Sequence, residues 1–166
     1  EREALEPVIR SVLPGLSAGD VAGITRMPKS TYCMVYALSE GNTGGYTRAF
    51  AVIRAEHPDL LRLSCMHEEM AQGLGLPNDS HEARPSIFND DEEFALLTDQ
   101  DELMLRMLII GYVMGIRSER RLCDEVHLNL AYRWFCRLGL DGAVPDHSTF
   151  SKNRHGRFRD SDVLCQ

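Results

Sequence analysis

Asp101-Glu102-Leu103-Met104-Leu105-Arg106-Met107-Leu108 is where this chain of 166 residues changes character. Thr98 or Asp99 can cap a helix that opens just before this stretch and runs to about Met114, because a short side-chain oxygen at that position accepts from the first free amides of a helix. Upstream, residues 1–103 hold eight Lys/Arg against eighteen Asp/Glu, a net of −10. Downstream, residues 104–166 hold ten against seven, a net of +3, which completes the −7 of the whole chain. Such asymmetry between halves predicts different partners or different origins. The longest apolar run, Leu103 to Ile116, is interrupted by Arg106 and two glycines, so no membrane-spanning helix is expected.

Working back from the seam, residues 78–93 read as an acidic loop that includes Asn89-Asp90-Asp91-Glu92-Glu93. Pro58 opens a helix from about Asp59 to Leu74, since proline is harmless in a first turn, and Gly73, Gly75 and Pro77 end it. Residues 32–38 are rich in β formers, the Gly-Asn-Thr-Gly-Gly cluster at 41–45 is a turn signal, and Tyr46 to Ala55 reads as the return strand of a hairpin. Leu5, Val8, Ile9 and Val12 repeat at helical spacing, which predicts a helix over 3–12. Working forward, Ser118 caps a helix of about 119–126, Asn129 one of about 130–138, and Asp146 or Ser148 a last one to about Phe158. No strand signal follows the seam. With 43% hydrophobic and 26% charged residues the composition excludes a disordered tail.

None of the five cysteines sits in a C-x-x-C pair, so a zinc ribbon or a redox motif is not supported. Cys33 and Cys65 flank the expected hairpin. They can pair if this half is exported, or remain two buried thiols.

The segment Glu68-Glu69-Met70-Ala71-Gln72-Gly73-Leu74-Gly75-Leu76-Pro77-Asn78-Asp79 keeps the spacing of the metzincin peptidase template H-E-x-x-H-x-x-G-x-x-H. In that template residues i and i+4 grip one metal from one helix face and the intervening Glu activates water. Glu69 and Gly75 fall at the Glu and Gly positions, whereas Glu68 and Gln72 replace the two histidines and Asn78, with Asp79 beside it, the third. His67 is one residue out of register, its i+4 partner being Ala71. A glutamine amide is a poor zinc ligand, so Glu69 is a degenerate catalytic candidate and His67, Glu68, Gln72 and Asp79 are the residues left for any metal. The plainer alternative is a helix whose polar face makes structural hydrogen bonds. Arg84-Pro85-Ser86-Ile87-Phe88-Asn89 and then Leu97-Thr98-Asp99-Gln100-Asp101-Glu102-Leu103 follow, and they resemble the end of matrixin-type metzincin domains, with Phe88 where that family has a Met. More closely, residues from about 30 to 108 resemble a domain of unknown function found in proteobacterial lipoproteins. That resemblance implies an exported domain without assigned activity.

From about Leu103 onward the chain resembles the helical N-terminal domain of insertion-sequence DDE transposases. The blocks that carry this are Arg106-Met107-Leu108-Ile109-Ile110-Gly111-Tyr112, Ile116-Arg117-Ser118-Glu119-Arg120-Arg121-Leu122, Asn129-Leu130-Ala131-Tyr132-Arg133-Trp134-Phe135 and Pro145-Asp146-His147-Ser148-Thr149-Phe150-Ser151-Lys152-Asn153-Arg154. Arg117, Arg120 and Arg121 share one short helix, and Lys152, Arg154 and Arg157 lie on or just after the last one, an arrangement that can neutralise DNA phosphates or simply form a solvated basic face. Leu122, Val126, Leu130, Trp134, Phe135 and Leu138 are expected to form the core of the bundle. Strand transfer needs three carboxylates around two divalent metals, and this stretch has no such set, so no strand cleavage is expected.

The seam continues the lipoprotein-type helix and begins the transposase helix at once. Short-homology recombination leaves such a shared stretch, and so does faulty joining of two reads; the alternative is an evolved protein whose halves share one long helix. The resulting expectation is an α+β chain, with a β-hairpin-plus-helix metzincin-like first part at 1–102 and a small all-α helical domain at 103–166. Its function is that of a transposase N-terminal domain, DNA-end recognition or transposase assembly, without catalysis. The rivals are an exported lipoprotein-type domain with a residual metallopeptidase-like site, and a fusion product without function. No cofactor is assigned; zinc is the one the degenerate template would suggest. DNA is the partner implied for the C-terminal half, and nothing sets an oligomeric state. The transposase half implies the cytoplasm, the first half the periplasm.

Overall fold

Ser17 supplies an element that hydrophobic periodicity does not. Its Oγ accepts from the Asp20 amide at 3.1 Å while the Asp20 carboxylate accepts from the Ser17 amide at 3.2 Å. This reciprocal capping box starts a short helix of eight residues, α2 (Ala18–Thr25), directly after α1 (Arg2–Val12). The structure, a computed structural model, describes residues 2–38, 48–76, 79, 83–89 and 93–150. The remaining elements are strands β1 (Cys33–Leu38) and β2 (Arg48–Ile53) and helices α3 (Asp59–Gly73), α4 (Asp99–Val113), α5 (Glu119–Leu128) and α6 (Leu130–Phe135). The chain is α+β, as expected. The turn read at 41–45 lies outside the described residues, as does the last helix beyond residue 150; residues 147–150 are helical.

β1 and β2 pair antiparallel, Val35 opposite Ala51 and Tyr36 opposite Phe50. Because successive side chains point to opposite faces, the hairpin serves two neighbours. On one face Tyr36 and Phe50 stack with ring centroids 5.0 Å apart and, with Val52, pack against a small core of Ile9, Leu16, Val21 and Ile24. The other face meets α3. Cys33 is disulfide-bonded to Cys65 of that helix, with Cα atoms 5.9 Å apart. Near the other end Gly73 lets helix and sheet approach so closely that a Cβ there would lie 3.1 Å from Ala49 Cβ and 3.3 Å from Val35 Cγ2. α3 then stops as Gly75 takes φ +115°, with the Gly75 and Leu76 amides donating to Gln72 and Ala71 carbonyls.

The start of α4 is built by Asp101, whose side chain is buried at 1% exposure. It accepts from Thr98 N and Thr98 Oγ1 at 2.9 Å each, closing a capping box, and also from Ile87 N at 2.9 Å and Ser86 Oγ at 2.5 Å. The Ser86-Ile87-Phe88-Asn89 block and the Leu97-Thr98…Asp101 block are therefore two halves of one buried hydrogen-bonded knot.

A second, larger core joins Ala71, Leu76, Ile87 and Phe88 to Met104, Met107, Leu108 and Ile110 of α4 and to Leu122, Val126, Cys136 and Phe150. The 102/103 division expected from the two resemblances thus runs through the first turns of α4, a helix both sides pack on. Burial pushes the Cys123 and Cys136 thiols up to about 11, nearby carboxylates adding to the effect at Cys123.

Two residues assigned to this core by spacing are elsewhere. Leu130 and Trp134 are 65% and 81% exposed, while Arg133 between them is buried at 4%. α6 has only six residues, too few for an apolar stripe to set its rotation. The backbone decides instead: the Arg133 guanidinium donates to the carbonyls of Gly139, Leu140 (3.1 Å) and Gly142 (2.6 Å), supplying donors that the turn beyond α6 lacks.

Candidate functional site

α3 carries residues that keep the spacing of the metzincin template. One helical turn separates Glu68 from Gln72, and their side chains meet, Gln72 Nε2 donating to Glu68 Oε1 at 3.4 Å. A carboxylate–amide pair thus stands where the template has two imidazoles. His67 Nδ1 accepts from the Leu97 amide at 3.3 Å, which ties α3 to the segment entering α4. Glu69 is buried at 5% exposure. Glu68 and Asp79 line a cavity of about 680 Å³ beside the disulfide; Glu69, His67 and Gln72 do not. Asn78 lies outside the described residues. This donor set does not fit zinc: one His nitrogen is committed to backbone, the amide to Glu68, and among the described residues no three His, Cys, Asp or Glu side chains group as metal ligands.

The C-terminal candidates divide in two. Arg117 and Arg120 are exposed around the start of α5, where Ser118 Oγ accepts from the Arg121 amide at 3.3 Å. Arg121 is 69% exposed and reaches Glu125 at 3.5 Å. Arg120 lies close to Asp146, whose carboxyl is held below the ordinary range first by hydrogen bonds from the Ser148 amide and side chain, then by the charges of His147 and Arg120. Lys152, Arg154 and Arg157 fall outside the described residues, so the structure brings together only Arg117, Arg120 and Arg121, and Arg117, expected on the helix, precedes its Ser118 cap.

Of the other arginines of residues 104–150, Arg106 and Arg133 are structural and Arg137 is exposed. Arg106 donates to Phe135 O at 3.2 Å, pairs with Glu102 and lies over the Phe135 ring, 5.8 Å from its centroid. Arg137 reaches Glu102 at 3.3 Å, and Arg133 is the buried clamp. A count of basic residues in sequence therefore overstates the cation available to a ligand. The cavity has no mark in the sequence, because its walls come from five separated stretches of chain.

Among the described residues no helix is long and apolar enough to cross a membrane. Residues 2–111 match the family model described as Protein of unknown function (DUF2927), and residues 100–156 match the model described as Transposase domain (DUF772). The first match begins well before the residue 30 expected from motifs and takes in α1 and α2. The two overlap over 100–111, most of α4. No curated protein and no solved structure matches the chain. With two thirds of its length inside the first match, the chain belongs to the family of proteins of unknown function DUF2927, and its C-terminal part carries a transposase-related domain.

Proposed function

We propose that the C-terminal part binds DNA through the start of α5, in the service of DNA-end recognition or transposase assembly and without strand chemistry of its own. The match of residues 100–156 to a transposase domain carries this reading. The placement of Arg117, Arg120 and Arg121 favours it physically: three exposed guanidiniums surround a helix N-terminus, where phosphates meet both full charges and the helix dipole. Lys152, Arg154 and Arg157 extend the contact in this proposal. Fluorescence anisotropy with a labelled duplex across a salt series tests it. The triple reversal Arg117→Glu, Arg120→Glu, Arg121→Glu should weaken binding about tenfold or more, and lower the slope of log affinity against log salt by about 3, roughly one per lost phosphate contact. Unchanged affinity and slope would falsify the assignment.

The disulfide favours a second reading for the first part, that of an exported domain. Disulfides persist in oxidising compartments and are rare in the cytosol, so Cys33–Cys65 points away from the compartment in which a transposase works. Acid-quenched cells and thiol trapping should find these two cysteines oxidised in the natural host. Finding them trapped as free thiols would remove the support for export.

A further inference from the structure

The cavity beside the disulfide opens between α3, the chain entering β1 and the segment leading to α4. Its volume, about 680 Å³, lies in the range of small-molecule and side-chain sites. Leu61, Ile87 and Phe94 give it an apolar wall, and Glu68, Asp79 and Asn89 are among the polar residues that line it. No Lys, Arg or His is among the described residues that line it. The disulfide forms part of the lining and locks β1 to α3, so that side of the cavity is preformed. The Gln72 amide holds Glu68 by one oxygen, which orients that carboxylate. The surrounding half of the chain is net −10, a field that concentrates cations at such a cleft.

We propose that this cavity binds an organic cation on an aliphatic stem, the side chain of an arginine or lysine in a peptide. The apolar wall takes the methylenes and the two carboxylates take the charged head, a division of labour to which long basic side chains are suited. A bare divalent ion is the poorer occupant, because it needs several oxygens converging on one point and gains nothing from an apolar wall. This site stands apart from the DNA reading of α5, and either can fail alone.

NMR titration of the full-length 15N-labelled protein tests it, with Nα-acetyl-arginine N-methylamide and its neutral isostere Nα-acetyl-citrulline N-methylamide as probes. The arginine probe should give saturable shifts at the Ser64, Glu68 and Ala95 amides and bind about fivefold or more tightly than the citrulline probe. Glu68→Gln and Asp79→Asn should each reduce that preference severalfold. The comparison of the two probes on unaltered protein needs no variant to fold. Equal binding of both probes, no saturable shift up to about 50 mM of the arginine probe, or saturation of the same amides by zinc chloride alone would each overturn the proposal.

Discussion

Replacing Asp101 by Ala is expected to lower the unfolding free energy by about 4 kcal/mol, because it leaves two backbone amides and one hydroxyl at a buried site without their acceptor, at about 1–3 kcal/mol for each buried group that finds no substitute. The groups are the Ile87 and Thr98 amides and the Ser86 hydroxyl, gathered on a side chain with 1% exposure, while the Thr98 hydroxyl keeps the Pro85 carbonyl as acceptor. The loss has two readable parts. Among the described residues three of the bonds end on Oδ2, and Oδ1 accepts from Ser86 Oγ. Asp101→Asn can place its carbonyl oxygen where Oδ2 stands and donate from its amide to the Ser86 hydroxyl, which rotates to accept. That variant should cost only about 1–2 kcal/mol, the difference between a charged and a neutral acceptor. Urea unfolding followed by circular dichroism distinguishes the two. An alanine variant within 1 kcal/mol of the parent would mean that the knot between the 86–89 turn and α4 contributes little.

Breaking the Cys33–Cys65 bond is the second large effect. The two cysteines are 32 residues apart in sequence, and a cross-link of that span removes loop entropy from the unfolded chain worth about 3–4 kcal/mol. Cys33→Ala with Cys65→Ala should therefore lower the denaturation midpoint sharply, and reduction with dithiothreitol should move the parent to the same place while leaving the double variant unmoved. The clearest casualty would be the contact of α3 with the hairpin, where Gly73 offers no side chain of its own to hold the two together. A fully reduced parent protein, shown to be so by mass, with an unaltered midpoint would defeat this expectation.

Much of this architecture could be read in the chain because its signals are local. Thr98, Ser118 and Asn129 each cap the helix they were expected to cap, and Pro58 opens α3. α2 escaped notice although Ser17-x-x-Asp20 announces it, since an eight-residue helix with Val21 and Ile24 as its buried residues has almost no periodicity. Arg133 was missed for a different reason. Its partners are carbonyls, which every residue has, so nothing in the side chains of 139–142 advertises the need for a buried cation. Leu130 and Trp134 were misplaced as its complement. The Ser86 and Asp101 blocks were visible as separate marks, but only their meeting in space explains why both are needed. The cavity has no sequence signature, because Glu68, Asp79 and Phe94 become neighbours only through the fold.

One helix answers to neighbours on both of its sides. α4 falls within both matched spans over most of its length, and its buried methionines, Met104 and Met107, share a core with Phe88 before it and with Leu122 and Val126 after it. A change there must satisfy two sets of neighbours before it can be inherited. Among descendants of this gene, α4 should drift most slowly, and where it does change, compensating changes should turn up on both sides.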